Sequence, residues 1–196
     1  MAKSPTIPKA HREAINEAML ACSKHTLLQG LPGGVAIAAP EASFVRDGYA
    51  RIVVHQSRYP NWRPVGKAIR EHSFSIQLNG FQRCDPEEWL NLIAQCKLHV
   101  ALNHCALNAH DEALRLACEI EATELLRHLS IGRRPADLPW CDAPSLGRTV
   151  EKVAQALREG GAEAFELYGG QGVAGLGQPA WIFDEGIEPI SDEIKK

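Results

Sequence analysis

The chain has 196 residues, of which 45% are hydrophobic and 23% charged, and its formal net charge is −3 at pH 7. That length and apolar fraction suffice for one ordinary domain with its own core, and the mildly acidic balance argues against nucleic acid as the main partner, because phosphate binding needs a concentrated basic surface. No stretch approaches ~18 uninterrupted apolar residues, and the opening MAKSPTIPKAHR lacks the apolar run of a secretory signal, so a cytoplasmic location is expected.

The first predicted element is a helix from Pro8 to Gln29, opened by a proline whose missing N–H does no harm and closed before Gly30. Ala14, Ile15, Ala18, Met19, Cys22 and Leu27 form its apolar stripe. Three short strands follow at Val35 to Ala38, Tyr49 to His55 and Ser73 to Leu78. The Asp47-Gly48 turn signal suggests that the first two form a hairpin. In the third, Phe74, Ile76 and Leu78 alternate with Ser75 and Gln77, the pattern of a strand with one wet face. Between the second and third strands, Arg58 to Arg70 is the densest basic stretch. Arg58, Trp62, Arg63 and Arg70 could line a surface for a small molecule or nucleic acid, but a solvated loop is the favoured reading.

Asp85-Pro86-Glu87-Glu88 supplies an N-cap, a first-turn proline and an acidic third helical position. The helix it opens is apolar on most sides from Trp89 to Leu107, which places it at the centre of the domain. After a break at Asn108 to Asp111 a second helix spans Glu112 to Leu129 and closes at Ser130-Ile131-Gly132. Arg133-Arg134-Pro135 and Leu138-Pro139-Trp140 make a loop, and a last helix spans Ser145 to Glu159, ended by Gly160-Gly161. Residues 1–168 thus read as one domain and 169–196 as a Gly-rich arm. No G-K-[ST] or strand-to-helix context makes that arm a phosphate loop, and Trp181, Ile182 and Phe183 are its apolar residues able to pack on the domain or on a partner.

Polar residues on the two apolar helices carry the candidate chemistry. His99 is flanked by leucine and valine with Gln95 one turn earlier on the same face, and a buried imidazole needs partners for its N–H and its lone pair. Glu119 lies mid-helix in LACEIEATELL, where a carboxylate also calls for a partner. One reading is a simple mutual hydrogen bond in the core. Another is a metal ion held by His99, Glu119 and either His104 or His110. His99 and His104 lie ~140° apart on a regular helix, so His104 contributes only if the helix distorts or ends near it. Cysteine nucleophile pairs (Cys96 with His99, Cys105 with His104) are disfavoured by their spacing. The six cysteines show neither a C-x-x-C pair nor a disulfide framework, and are expected to be reduced and mostly buried.

From Ser73 to Pro135, about a third of the chain, the sequence resembles the zincin-like metallopeptidase domain associated with von Willebrand factor A-like proteins and MoxR-type AAA+ ATPases. In that family a strand precedes a helix carrying H-E-x-x-H-x-x-x-x-H, and a second helix carries A-C-D-x-x-x-N-x-L-L. The resemblance aligns His99 with the second histidine, His104 with the trailing one, and Glu119, in Ala117-Cys118-Glu119, with the acidic residue. Gln95 then stands where the first zinc histidine belongs, Cys96 where the catalytic glutamate belongs, and Thr123 replaces the asparagine. The motif is therefore degenerate. In the intact motif the i, i+4 histidines share the metal and the glutamate takes a proton from metal-bound water. Glutamine is a poor zinc ligand, and cysteine differs from glutamate in reach and acidity.

The expectation is an α+β, zincin-like fold: a small, mostly antiparallel sheet packed on the central buried helix, with further helices around it. The implied function is that of a pseudoenzyme acting as a binding or adaptor subunit in a multi-protein bacterial system, with a von Willebrand factor A-like protein or a MoxR-type ATPase as partner. The alternative is an active metal-dependent hydrolase using zinc on His99, His104 and Glu119, with Cys96 and Glu119 as catalytic groups.

Overall fold

A computed structural model describes residues 6–38, 48–56, 72–106, 111–136, 138, 148–169 and 181–183. His110, Cys141 and the basic residues Arg58 to Arg70 lie outside them, as do all the glycines after Gly169.

The first helix, α1, spans Lys9–Lys24. Ile15, Ala18 and Cys22 are its buried residues, one stripe at helical spacing. It stops short of the predicted Gln29 because His25 is extended. The His25 N–H bonds back to the Ala21 and Cys22 carbonyls, and a short 3-10 turn, Leu28–Gly30, drops Leu28 into the core. Leu27, expected on the stripe, is left 40% exposed by that early stop.

Four strands make one sheet: β1 Gly34–Ile37, β2 Ala50–Gln56, β3 His72–Leu78 and β4 Trp181–Phe183, in the order β1-β3-β2-β4. The expected β1–β2 hairpin does not form. β3 lies between the two, parallel to β1 and antiparallel to β2, and β4 adds to the other side of β2 in parallel. The sheet is therefore mixed rather than mostly antiparallel. A turn dipeptide permits chain reversal without choosing the neighbour. In β3, Ile76 and Leu78 are fully buried, while Ser75 and Gln77 stay partly open. On the open face Arg51 Nε donates to Gln77 Oε1 at 2.8 Å, directly across the β2–β3 register.

Helix α2, Pro86–Ala101, is buried without a break from Trp89 to Val100. Its start is the predicted capping box: Asp85 Oδ1 accepts from the Glu88 N–H and Glu88 Oε2 accepts from the Asp85 N–H, each at 2.9 Å. α1 and the sheet pack on it in one core built around Ile15, Leu28, Ile52, Ile76, Trp89 and Leu92. A second, smaller core holds α3, Glu112–Leu129, against α4, Val150–Gly169, through Leu116, Ile120, Val153 and Leu157. α4 runs through the Gly160-Gly161 pair that was expected to end it. Interior helix glycines cost only ~1 kcal/mol each, and Val153, Ala154 and Leu157 already anchor the helix on α3. No helix among the described residues is long and apolar enough to cross a membrane.

Candidate functional site

Helix α2 ends at Ala101, not at the predicted Leu107, and that early end builds the site. Asn103 takes a left-handed backbone, φ 60°, which asparagine tolerates better than most residues. The chain then turns into a short 3-10 segment, His104–Ala106, that folds His104 back onto the last turn of α2. The His104 and His99 rings meet edge to face, with their Nδ1 atoms 2.9 Å apart.

On its other side, His99 Nε2 lies 3.3 Å from Glu119 Oε1, across the α2–α3 interface. The second Glu119 oxygen accepts from Gln95 Nε2 at 2.6 Å, and Gln95 Oε1 accepts from Arg134 Nη1 at 3.0 Å. At the far end His104 Nε2 lies 2.8 Å from Glu121 Oε2. One polar chain thus runs Arg134–Gln95–Glu119–His99–His104–Glu121. Gln95 and His99 are fully buried, His104 and Glu119 almost so, while the Glu121 side chain is 31% exposed. Thr123 stays on its own helix and donates to the Glu119 carbonyl at 2.7 Å.

Donor and acceptor capacities fix much of this chain's polarity. A guanidinium only donates, so the Gln95 oxygen faces Arg134 and its amide N–H faces Glu119. Burial alone would push the Glu119 carboxyl up. His99, Arg134 and the Gln95 amide outweigh it, and the carboxyl is held below its ordinary range. An ionised Glu119 accepts from both sides. With His99 donating from Nε2, its Nδ1 accepts from His104 Nδ1–H, and His104 Nε2 then needs a proton from Glu121. The same three protons can also sit with both His99 nitrogens protonated and Glu121 ionised. Burial first, and Glu151 second, push the Glu121 carboxyl up, while burial and His99 push His104 down to about 3. His104 is neutral in both arrangements.

Cys96 lies on the same helix but makes no hydrogen bond in this chain. Its thiol is fully buried, and burial, then Glu119, then Cys105 push it well above the ordinary thiol range, so it stays protonated at neutral pH. Cys105 and Cys118 are also buried and pushed up to about 12.

The geometry brings together Gln95, His99, His104 and Glu119, the residues that the sequence singles out. It does not bring His99, His104 and Glu119 onto one point. The His99 ring stands between the other two, offering Nδ1 to His104 and Nε2 to Glu119. At position 95 the atom with lone pairs, Oε1, is taken by Arg134, and an N–H points at the carboxylate. A cation needs a lone pair there, so this donor set does not fit zinc. Among the described residues no group of three His, Cys, Asp or Glu side chains is placed to hold a metal ion.

Sequence reasoning missed Arg134 and Glu121. Arg134 comes from a loop, and nothing local in Arg133-Arg134-Pro135 says which guanidinium turns inward. Glu121 is two residues from Glu119, too far round the helix to share its partner. It joins the chain only because the histidine pair spans the distance. No family model, curated protein or solved structure matches this chain.

Proposed function

We propose that this chain is a degenerate zincin-like protein that works by binding, as an adaptor subunit in a multi-protein bacterial system, without metal-dependent peptidase chemistry. The observation that carries the reading is the state of positions 95 and 96. Gln95 turns its only ligating atom to Arg134, and Cys96 is a buried thiol kept protonated. Neither a first metal ligand nor a base for deprotonating water is on offer at these two positions, while Glu119 already accepts from Gln95 and faces His99. What remains is a scaffold around a largely buried polar chain. A von Willebrand factor A-like protein or a MoxR-type ATPase is the partner class that the resemblance implies.

Metal analysis of the purified protein, peptide cleavage assays and co-purification with such partners test this together. The expectation is substoichiometric zinc, no cleavage, and a stable complex with one of the two partner classes. Stoichiometric zinc with peptide cleavage would favour the second reading, an active metal-dependent hydrolase. Its support is that His99 Nε2 and Glu119 Oε1 still face each other at 3.3 Å. That reading requires His99→Ala to lose the metal and the activity together.

A further inference from the structure

We propose that Arg134 is the resident cation of this site, coupled to the buried Glu119 carboxylate through the Gln95 amide, in the place where a hydrolase of this plan would hold a metal ion. The comparison with a metal rests on the reading of the chain as a degenerate zincin-like protein. The role of Arg134 rests only on its contacts.

A buried carboxylate needs positive charge or several donors to stay ionised. Beside the facing His99 ring, Glu119 has a permanent positive charge within reach, the Arg134 guanidinium. It acts through a side chain well suited to the task. The Gln95 amide accepts from Arg134 at one end and donates to Glu119 at the other, so its dipole points the guanidinium field at the carboxylate. Leucine or methionine at 95 would break the link, and asparagine is one methylene short. Gln95 is thus a positioning residue rather than only a lost ligand.

The protein also builds a device to deliver Arg134. After α3 ends at Ser130, with a left-handed backbone at φ 51°, residues 131–134 form a strap laid across the first turns of α2. Asn91 Nδ2 donates to the Ile131 carbonyl at 2.9 Å, the Arg133 N–H donates to the Glu87 carbonyl at 3.1 Å, and the Arg133 guanidinium pairs with Asp85 and Glu88. Gly132 lies so close that an added Cβ would stand 2.5 Å from the Glu87 carbonyl oxygen. Arg134 Nε is then fixed by the Leu138 carbonyl at 3.0 Å, which leaves Nη1 aimed at Gln95.

A double-mutant cycle on the full chain tests the coupling. Arg134→Met should lower Tm by roughly 6 °C or more, because it leaves a buried charge uncompensated. In the Glu119→Gln background, where no charge needs compensation, the same change should cost less than half as much, and Gln95→Leu should abolish the coupling between 134 and 119. Arg133→Met, in the same strap, should be additive with Glu119→Gln. Equal loss from Arg134→Met in both backgrounds overturns the proposal, since it makes Arg134 only a structural clamp. If Arg134→Met does not fold, recovery of soluble protein by adding Glu119→Gln supports the proposal. If that double variant is insoluble too, Arg134→Lys replaces it in the cycle, and a loss unchanged by Glu119→Gln overturns it. Zinc added to wild type separates the two claims. A rise in Tm would defeat the degenerate reading above, while the cycle alone decides the role of Arg134.

Discussion

His99 is sandwiched between two polar partners on opposite ring nitrogens, and that single fact separates the residues the sequence had grouped. His104 orients His99 from behind and does not share its Glu119-facing side. Removing it with His104→Ala leaves a buried Nδ1 and the Glu121 carboxyl without their partner. The expected cost is about 1–3 kcal/mol in urea denaturation. The proton placement gives a sharper test. With the shared proton on Glu121, its carboxyl donates to His104 Nε2, and a glutamine amide can donate there too, so in that arrangement Glu121→Gln should cost under about 0.5 kcal/mol while Glu121→Ala costs clearly more. Equal costs would mean that the pair is charged. At position 95 a histidine would present a lone pair beside His99 Nε2 and Glu119. Gln95→His is therefore expected to give a Tm that rises with zinc in differential scanning fluorimetry, and an unresponsive variant would show that the helix spacing no longer suits a metal.

At the scale of elements, capping boxes and alternation were legible in the sequence, whereas helix ends and strand neighbours were not. Asp85-Pro86-Glu87-Glu88 specifies its helix start through contacts three residues apart, so local reading suffices. The end of α2 depends on a left-handed Asn103 within an apolar run that continues to Leu107, and no local signal marks it. The neighbours of β3 depend on long-range packing, which the Asp47-Gly48 dipeptide does not encode. Gly132 tests the strap directly. Its φ of 62° and its contact with the Glu87 and Asn91 backbone leave no room for a side chain, so Gly132→Ala should destabilise by about 1–3 kcal/mol. The α3–α4 pair has its own acid-sensitive link. Asp111 caps α3 through the Leu114 N–H and reaches Arg158 of α4 at 2.5 Å, and these contacts hold its carboxyl below the ordinary 3.8. A depressed folded value means that this stabilisation is present above the unfolded value and is lost as pH falls through the folded one. Asp111→Asn should flatten stability below about pH 4 relative to wild type, measured by chemical denaturation across pH.

Taken whole, the described part of the molecule keeps its thiols and the middle of its polar chain away from solvent. Cys22, Cys84, Cys96, Cys105 and Cys118 are all buried. Iodoacetamide at pH 8 should leave these five unmodified in the native protein and label them all in denaturant, as read by mass spectrometry of peptides. Rapid native labelling of Cys96 would contradict the closed core. The candidate site was legible as a set of residue types, because buried histidine, glutamine and glutamate on apolar helices need one another. Its charge balance was not, because Arg134 arrives on a strap whose course is set by backbone contacts forty residues away in sequence from the helix it crosses.

The strand β4 has a consequence for how the protein is made. Residues 181–183 pair with Ile52 to Val54, so the flank of β2 stays open during synthesis until the chain has grown past Phe183. Such distant pairing slows folding, and an open strand flank is a template for self-association. Nascent chains stalled or truncated before Trp181 are therefore the ones for which chaperone dependence is expected to be greatest.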